Sequence, residues 1–345
     1  MEFIPWRNAS LVLAMVPCVC IAAFSQTSPQ DSDRLTFRIK TQLVLVDVIA
    51  EYDQTQVHTR ALLTDLKRED FRVFDNRKEI PIHSFDVGAT GGTRPIALWL
   101  IVQSPLGFEK GWASDFLRGN TQFLKPALAH LDANDAVGVA HWCDDGVAAI
   151  DLPPGHDPDA ALGAIDHLLN QKVFYKDNRS GELAMQKMIR LMVSNVHHAT
   201  PDRLPILLFL YGDHCATYVA EADRIIEKVL ETSGIVFGMS DGSWLIEPHS
   251  LFIGDQIRYL AHYYSRETGG EFYTTADPKL FSAALDYILS QVYLRYTIGF
   301  KPLASDGKIH TLKVELTTDA QSRFRGVQLR FRRKYLPVKT HPSDP

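Results

Sequence analysis

The sequence predicts an α/β protein in which a doubly wound, mostly parallel sheet is set between two β-rich flanks. Two observations carry this. Between residues 95 and 290, short apolar runs alternate with helical patterns, the signature of strands buried on both faces by crossover helices. On either side, residues 37–87 and 293–333 are dense in β-branched and aromatic residues with period-two alternation.

In chain order, TQLVLVDVIAEY is a long β-favouring run, and FRVFDNRKEIPIHSFDV reads as two strands joined at Asp75-Asn76. The glycines and Pro95 of GATGGTRP cannot continue a strand, so this stretch is a linker. The expected buried strands are IALWLIV (96–102), AVGVAHWC (136–143), LPILLFLY (204–211), GIVFGMS (234–240) and EFYTT (271–275). VAAIDL follows Asp144-Asp145-Gly146 too soon for a crossover helix and should pair antiparallel at the sheet edge.

Helical stripes lie between these runs. Ile225, Ile226, Val229 and Leu230 share a face before Gly234, read as a C-cap, and Ile257, Leu260, Ala261 and Tyr264 do so before Gly269-Gly270. Leu280, Phe281, Ala284, Leu285, Ile288 and Leu289 form another stripe opened by Pro278, while Pro126 should break the helix around it. The closing runs YLRYTIGF (293–300), KIHTLKVELT (308–317) and GVQLRFRR (326–333) suit a three-stranded meander. Neither flank can bury much alone, so the expectation is one β-sandwich from both, with the α/β unit inserted.

The 345 residues hold ample material for a hydrophobic core. A net charge of −5 gives no reason to expect nucleic acid or an anionic membrane as partner. Arg7, the apolar run LVLAMVPCVCIAAF and the small residues Ala23 and Ser25 read as a signal peptide cut before Gln26. The polar TSPQDSD that follows argues against a buried N-terminal helix, and no later stretch reaches the roughly 18 apolar residues of a membrane span. The mature protein is thus expected to be exported, periplasmic or secreted. Of four cysteines, Cys143 and Cys215 remain in a compartment that permits a disulfide. The expected layout is signal peptide 1–25, linker 26–35, β-rich segment 36–88, α/β domain 94–291, closing strands 292–338 and tail 339–345.

TQLVLVDVIAEY, LLTDLKREDFRVFDNRKEIPIHSF and RPIALWLIV, with LRYTIGFKPLASDGKIHTLKVEL and VQLRFRRKYLPV near the end, resemble the VWFA-related domain proteins described in Acidobacteria. The resemblance spans about residues 35–338 and implies a von Willebrand factor type A fold used to bind protein or surface partners. In related members Asp-x-Ser-x-Ser after the first strand, a later Thr and an Asp after the fourth strand hold a divalent cation that the partner's acidic group completes. Here Gln103, Pro105 and Gly107 stand at the first three positions, and Gly212 at the last. Only Ser104, Ser180 and Asp213 remain as weak candidate oxygen donors, too little charge to desolvate Mg²⁺. The implied metal site is therefore read as degenerate.

Two readings of the rim stay open. In one, Gln103, Ser104, Trp112, Asp144, Asp145, Asp213 and His214 form a surface that recognises a protein or cell-surface ligand without catalysis, metal or other cofactor. In the other, His141 with Cys143, and Asp213 with His214 and Cys215, serve an exported zinc-binding protein or hydrolase, since imidazole, thiolate and carboxylate are zinc ligands and can form a nucleophilic relay. A Cys143–Cys215 disulfide would have to cross strands two apart, about 10 Å, beyond the reach of roughly 7 Å between Cα atoms unless the loops lean inward. His197-His198 reads as a cationic helix end and the Arg330, Arg332, Arg333, Lys334 cluster as edge protection, with an acidic partner as its alternative.

Overall fold

Buried parallel strands, each apolar on both faces, organise the centre of the molecule. The computed structural model describes residues 43–52, 60–88, 94–103, 117, 120–142, 148–170, 187–195, 202–210, 216–240, 257–275 and 277–338. All of them fall in one compact unit, Thr41–Pro345.

The first strands are β1 (Val44–Tyr52), β2 (Phe71–Asp75), β3 (Lys78–Ile80) and β4 (Ile82–Val87). Next come β5 (Ile96–Gln103), the short helix α1 (Lys125–Leu128), β6 (Ala136–Trp142), β7 (Ala148–Gly155), α2 (Pro158–Asn170) and α3 (187–195). The chain continues through β8 (Leu204–Leu210), β9 (Ala216–Tyr218), α4 (Val219–Glu231), β10 (Ile235–Ser240), β11 (Ile257–Tyr259), α5 (Leu260–Thr268), β12 (Phe272–Thr274) and α6 (Pro278–Tyr293). It closes with β13 (Tyr296–Phe300), β14 (His310–Leu316), α7 (Thr318–Arg323), β15 (Val327–Phe331) and β16 (Lys334–Tyr335).

The central sheet has the order β12-β10-β8-β5-β6-β7, with every pair parallel except β6–β7. Alternation along β5 divides its side chains between two cores. Ile96, Leu98, Leu100 and Val102 share one cluster with Leu128, Ile165, Phe281, Leu285 and Ile288, on the side of α1, α2 and α6. Trp99 and Ile101 share the other with Met188, Met192, Ile226, Val229 and Tyr264, on the side of α3, α4 and α5. Gly138 makes room for Trp99, because a Cβ there would lie 3.0 Å from the indole ring.

Two four-stranded antiparallel sheets, β15-β1-β13-β4 and β16-β14-β2-β3, combine strands from both ends of the described chain. One apolar cluster draws on both: Val46 and Val48 of β1 and Ile298 and Phe300 of β13 meet Val73 of β2 and Leu312, Val314 and Leu316 of β14. In β14, His310, Leu312, Val314 and Leu316 are buried while Thr311 and Lys313 are exposed, as the alternation predicts.

Several local expectations change. The closing strands are no meander. β13 pairs with β1 and β4, β14 with β2 and β16, and β15 with β1, so none of the three pairs with another. The hairpin turn sits one residue late, at Asn76-Arg77, whose φ values of 47° and 70° are the positive pair a two-residue hairpin turn requires. Pro81, which has no N–H to give, then separates β3 and β4 into different sheets. Residues 257–259 form β11, antiparallel to β9, where a helix start was expected. After α4 the positive φ belongs to Ser233, at 58°, and Gly234 is needed instead for its close approach to the Pro205 carbonyl. Leu280 is exposed, outside the buried stripe of α6, and residue 293 ends that helix rather than starting a strand. Pro126 lies in the first turn of α1, after a separate 3₁₀ turn at Thr121–Phe123.

Candidate functional site

The candidate rim lies where the strands of the central sheet end. Chain connections run from β5 outward to β6 and β7 on one side and to β8, β10 and β12 on the other, so β5 stands at the point where strand order reverses. In open α/β sheets a crevice forms just beyond the carboxyl ends of the strands at that point. Gln103 is the last residue of β5, buried and level with Trp142 of β6, while Leu210 ends β8 beside Val102. Ser240 ends β10 and is also buried; its carbonyl accepts the Thr275 N–H at 2.7 Å. Gln103, Trp142, Leu210 and Ser240 place no carboxylate at these four strand ends.

Of the residues the sequence nominates for recognition, Gln103 alone is described. Ser104, Trp112, Asp144, Asp145, Asp213 and His214 lie outside the described residues, as do Ser180, Cys143, Cys215, His197 and His198. Among the described residues no group of three or more His, Cys, Asp or Glu is placed to hold a metal ion.

His141 of β6 is described, and its environment was not foreseen. Its Nδ1 lies 2.9 and 2.8 Å from the two carboxylate oxygens of Asp151, across the β6–β7 hairpin. A carboxylate on one ring nitrogen fixes the ring and its tautomer, as it does behind catalytic and metal-binding histidines. The edge-hairpin reading of VAAIDL was the one available signal, since it puts Asp151 opposite β6.

Sequence reasoning also missed a buried ionic cluster between the central sheet and the antiparallel strands. Glu51 of β1, 1% exposed, lies 2.8 Å from Arg60 Nη1 and 2.9 Å from Arg330 Nε of β15. Glu271, beside β12, lies 3.0 Å from each of the same two arginines, so two carboxylates and two guanidiniums alternate. Tyr287 of α6 donates to Glu51 at 2.8 Å, Tyr273 of β12 to Glu271 at 2.8 Å, and Gln291 Nε2 to the Tyr273 hydroxyl at 2.8 Å. Burial works against the Arg60 charge, yet Glu271 and Glu51 hold its pKa above the ordinary value. Burial first, and the adjacent carboxylates second, push the Tyr273 and Tyr287 hydroxyls well above the ordinary tyrosine range.

Below the sheet, arginines sit on helix C-termini, where carbonyls and dipole favour a cation. Arg295 donates to the Val292 carbonyl at the end of α6 and to Asp47 at 2.8 Å, and Arg332 Nη2 donates to the Ser233 carbonyl after α4 at 2.6 Å. Burial lowers the pKa of Arg332. With Lys334 lying 3.6 Å from Glu267, Arg330, Arg332 and Lys334 each meet a partner inside the protein.

No family model matches the chain, and no curated protein does. Solved structures similar to it include the von Willebrand factor type A from Catenulispora acidiphila, at 12% identity and a TM-score of 0.38 over 85% of this chain and 77% of that one. Another is the manganese-loaded Plasmodium vivax TRAP protein, at 9% identity and 0.38 over 79% and 100%. A third is the conserved hypothetical protein BatB from Bacteroides thetaiotaomicron, at 13% and 0.37 over 57% and 98%. Structural neighbours thus include von Willebrand factor type A domains, all at low identity. Among the described residues no helix is long and apolar enough to cross a membrane.

Proposed function

We propose that this chain is an exported, non-enzymatic binding protein of von Willebrand A-like build. In this reading the α/β unit is inserted into a β-sandwich made by the N- and C-terminal strands. The carboxyl edge of the parallel sheet recognises a protein or cell-surface ligand without a bridging divalent cation. Pairing of β1 and β4 with β13, and of β2 with β14, supports the inserted arrangement. Export rests on the leader read from residues 1–25.

One observation carries the cation-independent part. Gln103, a neutral amide, closes the central strand at the switch point, the position at which the resembled family places its first acidic ligand. Mg²⁺ surrenders its water only to closely placed anionic oxygens, and an amide supplies no charge. Recognition at this edge then rests on direct polar and aromatic contacts from the rim. Capture from a cell-surface fraction tests the reading. Wild-type protein is expected to retain the same partner in EDTA and in millimolar Mg²⁺, and a Ser104→Arg variant is expected to lose it. Retention only with Mg²⁺ would contradict the proposal.

The His141–Asp151 pair favours a second reading, an exported zinc-binding protein or hydrolase that also uses Cys143, Asp213, His214 and Cys215. Stoichiometric zinc by elemental analysis, lost in His214→Ala, would support this reading over the first.

A further inference from the structure

We propose that the slot walled by β14, β15 and the end of α5 is a binding site for a small organic acid, whose compact apolar body enters the slot and whose carboxylate meets Arg333 and Arg266. The end of α5 leads into β12 at the amino side of the parallel sheet. The site is therefore distinct from the carboxyl rim, and the inference stands without the reading given above for that rim.

The slot encloses about 460 Å³, within the roughly 300–1,000 Å³ of ordinary ligand pockets. Leu312, Leu329 and Phe331 line it. All three belong to or pack against the apolar cluster of the two antiparallel sheets, so the slot opens into the side of that core. An apolar body seated on them leaves water for a hydrocarbon surface, which is the main driving force for taking up a ligand of this kind.

Main chain closes the slot where these elements meet. α5 is followed by Gly269, at a φ of 88°, where a Cβ would lie 2.7 Å from the Phe331 carbonyl carbon, so the helix end meets β15 backbone to backbone. Arg332 bridges to Thr268, Arg333 N–H donates to the Glu267 carbonyl at 3.1 Å, and Leu312 N–H donates to the Arg333 carbonyl at 2.8 Å. With these backbone groups already paired, the slot meets a ligand through apolar side chains and guanidinium groups. An apolar floor with a few placed polar groups is the usual make-up of a small-molecule site.

Charge sets the head group. The lining holds four cationic side chains, Arg266, Lys313, Arg330 and Arg333, and no carboxylate. Two of them are engaged elsewhere: Arg330 with Glu51 and Glu271, and Lys313 with Glu315 and the Phe74 ring. Arg266 lies 3.4 Å from Glu267, but that carboxylate is also 3.6 Å from Lys334. Arg333 is exposed and forms no ion pair among the described residues. Around Glu267, whose carbonyl takes the Arg333 N–H, three cations therefore stand to one carboxylate. A ligand carboxylate restores the balance, because a guanidinium offers it two parallel N–H donors. A ligand amine would be repelled.

The test titrates the full mature chain, labelled at its methyl groups, with 4-phenylbutyrate and reads the chemical shifts of the Leu312 and Leu329 methyls. Saturable shifts at both residues are expected, with a dissociation constant of about a millimolar or below, as suits a ligand of about twelve non-hydrogen atoms. An Arg266→Gln/Arg333→Gln variant should bind about tenfold more weakly, and raised salt should weaken the wild type. Both side chains are exposed, so this variant should keep the wild-type melting midpoint. Arg325→Gln, exposed and outside the slot, should bind as wild type does. 4-Phenylbutylamine, which reverses the head group, and acetate, which lacks the body, should give no saturable shift at the same concentrations. Shifts absent or confined to other methyls, equal binding of the amine or of acetate, or an affinity unchanged in the double variant would each overturn the proposal.

Discussion

Replacing Glu51 with Ala is expected to lower the stability of the protein by roughly 3–5 kcal/mol, the range found when one partner of a buried ion pair is removed. Glu51 is 1% exposed and is shared by Arg60, Arg330 and Tyr287. Without it, two guanidiniums face Glu271 alone in a site poor in water, and Tyr287 loses its acceptor. The same cluster joins β1, β15, β12 and α6, so the loss should appear as one cooperative transition at lower denaturant rather than as fraying of one element. Urea unfolding of Glu51→Ala checks it. An unchanged midpoint would mean that the cluster is solvated and adds nothing to the join between the central sheet and its flanks. A Glu51→Gln variant should recover part of the loss, since an amide still accepts from Tyr287.

Alkaline titration should unfold the chain as a consequence of its buried tyrosines. Burial pushes the Tyr296 hydroxyl up to about 12, and burial together with carboxylate neighbours raises Tyr273, Tyr287, Tyr293 and Tyr335. A phenol whose native pKa lies above its unfolded value of about 10 binds its proton more tightly in the native state. Its contribution is complete below pH 10 and is lost as pH rises toward the native value. For Tyr296 the interval is worth about 2–3 kcal/mol at the conversion of 1.36 kcal/mol per unit. Tyrosinate absorbance from these residues is expected to appear late and together with loss of near-ultraviolet circular dichroism. Smooth ionisation near pH 10 with the fold intact would contradict the buried, hydrogen-bonded placement of these rings.

Much of this architecture was readable where local pattern and burial agree. The run Ile96–Val102 is apolar throughout because helices cover both faces of β5, and β14 alternates because one of its faces is open. Pairing was less legible. Nothing local tells β13, β14 and β15 to separate, since each is drawn to a strand more than 200 residues earlier in the chain. The three-residue β11 was lost inside a helical stripe, because Ile257 and Leu260 stand at the i, i+3 spacing of a helix face. Pro81 carried the signal that divides β3 from β4, as a residue without an N–H cannot continue a ladder.

The site was legible in kind rather than in detail. Gln103 could be named from the abrupt end of an apolar strand, whereas the Asp151 partner of His141 depends on the register of a hairpin. Glu51, Glu271 and Arg330 form a cluster whose members come from distant parts of the chain, with Tyr287 donating to Glu51 from 236 residues away. Charged residues on strands ordinarily read as solvent-facing, and nothing in the residues beside them marks these as buried.

Thermal unfolding in EDTA and in rising Mg²⁺ or Mn²⁺ tests the central claim most directly. Any cation bound only by the native state would add about 2.7 kcal/mol at a hundred times its dissociation constant. For a chain of this size that raises the melting midpoint by about 4 °C. A rim with Gln103 at its centre predicts the same midpoint in EDTA and in millimolar Mg²⁺ or Mn²⁺. A saturable rise of several degrees, abolished by substituting Asp213, would contradict it.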